Sequence, residues 1–214
     1  MGKSSRRKAA ASDSRPPASP MRTRSFPWFA VIVGTILLAG LGTVGYLASQ
    51  RSTVVGVAPE ALKDHWHSAF SVYSCGELLP PTQAPEHGDG IHAHADGLIH
   101  IHPTTTEAAG PNATLGNYLS TVGATLTDDR YEPGPGEAPV VLDASEGCDG
   151  EPAELQLAVW RNGAFDGEPE IIQSGLADLR FEEGGLAITL ALVPSGETIP
   201  ISPQAENVNN PGDQ

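Results

Sequence analysis

The sequence predicts an α+β domain carried outside a membrane-spanning helix. Three observations predict it. Residues 29–48, FAVIVGTILLAGLGTVGYLA, form an uncharged apolar run of twenty residues. A histidine-rich hairpin signal at 91–102 precedes a single well-capped helical stretch. Several short apolar runs separated by Gly and Asn-Gly turns then follow.

The apolar run comes first. At 1.5 Å per residue, a helix of that length spans about 30 Å, the hydrocarbon thickness of a bilayer. Trp28 and Tyr46 lie near its ends, where amphipathic rings favour the interface. Charge is divided around it. Residues 1–25 carry seven basic side chains against the single acid Asp13, a net of +6. The remainder carries five basic against 25 acidic groups, a net of −20, and the whole chain stands at −14. The positive-inside rule therefore keeps the N-terminus cytoplasmic and places residues 51–214 outside. A cleaved signal peptide is the competing reading. The run exceeds a signal h-region, and Gly56-Val57-Ala58 is followed by Pro59, an unsuitable cleavage context. Thr35, Ala39 and Thr43 form a small-xxx-small row suited to packing against a second helix.

The expected organisation is a disordered basic cytoplasmic tail at 1–26, a transmembrane helix at 27–48 and a stalk at 49–58. An extracytoplasmic α+β domain at 59–203 and a loose tail at 204–214 complete it. The bilayer is thus the first partner, through residues 27–48. A net charge of −20 on the outer part excludes nucleic acid as another. The sequence leaves the oligomeric state open. The two cysteines, Cys75 and Cys148, both fall on the outer side, where a disulfide between them is permitted. The alternative makes Cys75 a metal ligand.

Within the domain, residues 69–74, 140–143, 154–161 and 186–193 read as strands, with 198–202 as a final edge strand. Asn112 or Thr114 caps a helix whose Leu115, Tyr118, Leu119 and Val122 share one buried face, and Gly123 ends it. Asn112-Ala113-Thr114 also matches a glycosylation acceptor, for which the cap is the simpler account. Asn162-Gly163 and Glu183-Gly184-Gly185 are turns. The order fits an antiparallel or mixed sheet with one main helix, and a β-grasp-like layout is compatible with it.

All seven histidines fall within 38 consecutive positions, from His65 to His102. Imidazole is the commonest transition-metal ligand and titrates near neutrality. Four of the histidines lie in Ile91-His92-Ala93-His94-Ala95-Asp96-Gly97-Leu98-Ile99-His100-Ile101-His102. Side chains alternate across a strand, so the loop length decides which faces match. A two-residue loop at Asp96-Gly97 sets His94 opposite Ile99 and mixes the faces. A three-residue loop ending in a left-handed Gly97 pairs even positions with even positions. Only that register buries isoleucine without burying imidazole, and it is the predicted one.

Asp64-His65-Trp66-His67 is the second histidine element. A strand presents His65 and His67 together. Pro59 and the Leu62, Trp66, Phe70 spacing also permit a helix, which separates them. Trp66 reads as core. His87 and Asp89 lie in a Gly- and Pro-rich loop. Asp64, Asp89 and Asp96 are possible ligands or orienting groups, with Asp96 explained more simply as a turn residue.

The candidate metal ligands are therefore His65, His67, His92, His94, His100 and His102. Imidazole and carboxylate suit a divalent transition metal, Zn²⁺, Cu²⁺ or Ni²⁺. The only methionines, Met1 and Met21, precede the membrane run, which disfavours copper(I). A second reading is a metal-free, pH-responsive surface that binds a membrane or envelope protein partner. A third is a metal-dependent hydrolase, with Glu60, Asp64 or Asp89 as base; no catalytic residue is assigned.

Three known patterns are approached and missed. His92-Ala93-His94-Ala95-Asp96 resembles the metallo-β-lactamase signature, but Gly97 stands where that signature needs histidine. Gly90-Ile91-His92-Ala93-His94 resembles a copper-ligand strand of copper-zinc superoxide dismutase and the first cupin motif. Both families need later histidines that are missing here. A better resemblance is carried by the Asp64–His67 tetrapeptide, Cys75 with Leu79-Pro80-Pro81, the Asp96–Pro103 stretch and Asn112-Ala113-Thr114-Leu115-Gly116. In these the chain resembles uncharacterised single-pass membrane proteins of actinobacterial type, over most of residues 64–120 and more weakly at 188–194. The resemblance implies an anchor plus one outer domain, and it implies no activity.

Overall fold

A computed structural model describes residues 27–54, 57–81, 90–94, 96–135 and 139–209. The chain divides near Val44 and Gly45 into two units.

The first is built on α1 (Trp28–Val54), whose stretch Trp28–Tyr46 is long and apolar enough to cross a membrane. Ile32, Ile36, Leu37, Leu38, Leu41 and Val44 are all exposed along it. The Thr35 and Thr43 hydroxyls donate to the carbonyls of Val31 and Ala39, both at 2.9 Å. Their polar groups are satisfied within the helix, as a hydrocarbon surrounding requires. The helix runs through Val54, into the expected stalk, because Gln50–Val54 contains no Gly or Pro to stop it. The basic tail expected at 1–26 lies outside the described residues.

The second unit is α+β. Its strands are β1 (Trp66–Ser74), β2 (Glu77–Leu78), β3 (Ile91–Ala93), β4 (Leu98–Ile101), β5 (Thr125–Leu126), β6 (Arg130–Glu132), β7 (Leu142–Asp143), β8 (Glu154–Trp160), β9 (Glu170–Ile172) and β10 (Leu186–Val193). The main sheet runs β3-β4-β1-β10-β8-β9, with β2 beside β1; β5, β6 and β7 form a small second sheet. The sheet is mixed: β1 and β10 are parallel, and the other pairs are antiparallel. The central order β4-β1-β10-β8 sets the first and last of its strands side by side and parallel. The helix α2 (Leu115–Thr121) separates β4 from β8 in sequence, which is a β-grasp order.

Period-two alternation in the strands gives the sheet two faces. One carries Trp66, Phe70, Val72, Ile99, Ile101, Leu157, Ile188 and Leu190, and it receives α2 through Leu115, Tyr118 and Leu119. Thr114 caps that helix as expected, its Oγ1 accepting from the Asn117 N–H at 3.1 Å. Gly123, at φ +76°, follows its end. The Phe70 and Tyr118 rings meet edge to face, 5.8 Å between centroids.

The other face is half covered by the C-terminal segment. Residues 198–202 do not form the expected edge strand. They cross the face, with Thr189 donating to the Pro200 carbonyl at 2.8 Å and Ser71 bonded to Ser202 at 2.7 Å. Nor is the tail loose from residue 204: Ala205 and Val208 are buried with Leu98, Ala158 and Trp160. Small Ala69, Ala187 and Ala191 on the sheet leave room for that segment. Residues 210–214 lie outside the described part.

Cys75 and Cys148 form a disulfide, with Cα atoms 5.4 Å apart. Cys75 is therefore not a metal ligand. Neither cysteine is free.

Candidate metal centre

The histidines lie on that second face, where His92 is buried and His67, His94, His100 and His102 are half-buried. Three elements bring them there. In β1, Trp66 and Phe70 point into the main core, which turns His65 and His67 to the opposite side. The helical alternative for this stretch fails. Leu62, which would have shared Trp66's face, is 84% exposed at φ +61°. The chain turns there instead: the Asp64 carboxylate accepts the Glu60 N–H at 2.7 Å, and β1 begins two residues later.

The hairpin takes the register the alternation requires. Ile91 pairs with Ile101, His92 with His100 and Ala93 with Ile99. Asp96 and Gly97 lie in the turn that follows, with Gly97 in the left-handed region at φ +75°. Ile91, Ile99 and Ile101 are fully buried. Each contributes on the order of 2 kcal/mol, all of which a one-residue slip would forfeit. Gly90 continues the ladder by accepting the His102 N–H at 2.8 Å.

Because β4 also pairs with β1, with His100 opposite His67, the row His92, His100, His67 crosses three strands. The six imidazoles close into a ring of contacts. His65 lies 4.8 Å from His67, and His67 lies 4.7 Å from His100, centroid to centroid. His100 lies 4.5 Å from His94, and His94 lies 4.9 Å from His92. His92 lies 4.7 Å from His102, which returns to His65 at 5.0 Å. His92 and His100 also stack nearly parallel, 5.5 Å apart. All six predicted ligands thus belong to one cluster. His87 and Asp89 lie outside the described residues.

Ligand atoms of His65, His67 and His100 all fall within 4.8 Å of one another. Nitrogens around a tetrahedral Zn²⁺ stand about 3.3 Å apart, given Zn–N distances near 2.0 Å. Small side-chain rotations cover the difference. These three imidazoles therefore fit a divalent transition ion and leave it a further position.

The electrostatics favour the neutral form. Burial lowers His67 to about 4, and the neighbouring His100 and His65 add to the effect. Burial also lowers His100, although Asp96 works against it. Asp96 accepts the Leu98 N–H through Oδ1 at 3.0 Å and meets His100 Nε2 through Oδ2, also at 3.0 Å. Burial alone would raise that carboxyl. The Leu98 N–H and His100 outweigh it, and Asp96 sits below its ordinary value. Asp96 is thus a turn residue and an imidazole partner at once. Its position four residues before His100 across a Gly turn was the sequence signal for the second role. Asp64 is engaged with the Glu60 N–H, and Glu60 pairs with Lys63.

No family model, curated protein or solved structure matches the chain.

Proposed function

We propose that this protein is a membrane-anchored extracytoplasmic domain that binds a divalent transition metal, Zn²⁺, Cu²⁺ or Ni²⁺, through its histidine-rich hairpin and first strand. The carrying observation is the convergence of His65, just before β1, with His67 of β1 and His100 of β4, their ligand atoms within 4.8 Å of one another. Imidazole without thiolate or thioether selects borderline divalent ions over copper(I). The apolar α1, the basic residues before it and the disulfide support an anchor with the domain on the oxidising side.

Metal-free pH sensing is the less supported reading. A sensor needs imidazoles that charge between about pH 5 and 8. Burial places His67 at about 4, outside that window. Of the bases a hydrolase reading offers, Asp64 and Glu60 are engaged with other partners, and Asp89 lies outside the described residues.

The test is equilibrium dialysis of the full-length, untagged protein in detergent against Zn²⁺, Cu²⁺ and Ni²⁺, beside a His67→Ala/His100→Ala variant. The proposal expects tight uptake of at least one of these ions by the parent and its loss in the variant. Equal uptake by both proteins would place the metal elsewhere.

A further inference from the structure

The face that carries the histidines also receives the C-terminal segment, and the two meet along one pair of strands. Between β1 and β4, His67 stands opposite His100, and Ala69 stands opposite Leu98. Side chains two residues apart share a face, so the second rung lies beside the first, about 7 Å along the strands. Ala69 and Leu98 are buried with Ala205 and Val208. The segment is therefore an apolar wall on the rung next to the metal ligands. It also reaches the hairpin turn. A Cβ added to Gly97 would lie 2.8 Å from Gln204 Cγ, so Gln204 rests directly on that glycine. Gly97 stands between Asp96, which meets His100 Nε2 at 3.0 Å, and Leu98, whose N–H donates to Asp96. Residues 200–209 add no strand to the sheet. Side-chain packing holds them, with hydrogen bonds such as Ser71 to Ser202 and Thr189 to the Pro200 carbonyl.

We propose that residues 200–208 are a positioning strap for the metal centre, so that docking of the strap and binding of the ion strengthen one another. The inference rests on the metal reading above and adds how that site is regulated. Docked, the strap fixes Leu98 and with it the N–H that orients the Asp96 carboxylate, and so the His100 ring. Its apolar side chains also limit solvent access beside the ligands, which tunes a metal site from outside its ligand set. Released, it uncovers Ala69 and Leu98 and takes Gln204 off Gly97. The turn then loses the support that keeps Asp96 against His100. An ion that draws His67 and His100 together steadies the same two strands from the neighbouring rung. Linkage makes the effect reciprocal: the factor by which the docked strap raises metal affinity is the factor by which metal holds the strap in place.

The experiment is hydrogen exchange by mass spectrometry on the full-length protein in detergent, with and without Zn²⁺, beside equilibrium dialysis of the same samples. Ni²⁺ or Cu²⁺ replaces Zn²⁺ where Zn²⁺ is not taken up. The amides that report the strap are those of Ala205, Asn207 and Val208, which donate to the carbonyls of Ser202, Gln204 and Ala205. Bound metal should slow their exchange about 10-fold, and slow that of β5 and β6 less. Val208→Asp sets a charge in the buried cluster with Leu98 and should weaken metal binding about 10-fold, whereas Val208→Leu should keep it. Metal uptake with the strap's exchange unchanged, or slowed no more than that of β5 and β6, overturns the inference and leaves the metal reading standing. Parent-like affinity in a Val208→Asp protein whose strap exchanges fast overturns it as well. Uptake of none of the three ions overturns both. The exchange arm needs only the parent, so a misfolded variant leaves the test decisive.

Discussion

The Asp96 carboxylate bridges the hairpin loop to the histidine cluster: one oxygen accepts the Leu98 N–H and the other lies 3.0 Å from His100 Nε2. The contact fixes which nitrogen His100 turns toward the remaining imidazoles. Nε2 is committed to Asp96, so Nδ1 is the atom left for a metal. Metal-bound histidine commonly carries such a carboxylate on its other nitrogen, which orients the ring and raises its basicity.

Asp96→Ala should therefore weaken metal binding about 10–100-fold while the fold persists. Asp96→Asn retains an acceptor for the Leu98 N–H and should lose less. Competition against a chromophoric chelator gives the affinities. Equal affinity in Asp96→Ala and the parent would remove Asp96 from the site.

Acid should destabilise the metal-free protein. His67 is held at about 4 in the fold by burial, against about 6.5 in an unfolded chain. The unfolded state therefore takes up the proton first. This contribution to stability is complete above about pH 6.5 and is lost as pH falls toward 4. Thermal midpoints of metal-free protein from about pH 7.5 down to 5 should decline, and decline less steeply in His67→Ala. A flat profile in the parent would contradict the burial of that imidazole.

Gly90 should not tolerate alanine. It sits at φ +88°, and a Cβ there would lie 2.1 Å from the His102 carbonyl oxygen. Relief requires β3 to move away from β4, which separates His92 from His100. Gly90→Ala is expected to cost about 1–3 kcal/mol and to impair metal uptake. Unchanged stability in a denaturant titration would refute the close approach.

The disulfide joins residues 73 apart in sequence. Closing a loop of that length stabilises by about 4 kcal/mol in the chain-entropy view. Cys75→Ser/Cys148→Ser should lose stability on that scale. Because Cys75 is no ligand, metal stoichiometry should survive wherever the variant remains folded.

Much of this was legible in the sequence, and the exceptions have physical causes. The hairpin register followed from alternation alone, because only one pairing buries Ile99 and Ile101 and leaves imidazole outside the main core. The cap at Thr114 and the buried strand at 186–193 were local signals and appeared where expected. The state of His65 and His67 was not legible. Leu62, Trp66 and Phe70 match a helical period, while Trp66, Phe70 and Val72 match a strand. Tertiary pairing with β4 and β10 chooses the strand. That parallel pairing joins residues over 110 positions apart and leaves no local trace. The Asn- and Pro-rich composition of the C-terminal segment looks loose in sequence. Only the shallow alanine floor of the sheet shows why Ala205 and Val208 settle there.

The central claim is that this histidine face holds a divalent transition metal. The most direct measurement is the metal content of full-length, untagged protein purified without chelator, by mass spectrometry against protein concentration. The account expects at least one equivalent of Zn²⁺, Cu²⁺ or Ni²⁺, removed by His67→Ala/His100→Ala. A folded parent that carries no ion, and takes up none of the three when supplied, would contradict it.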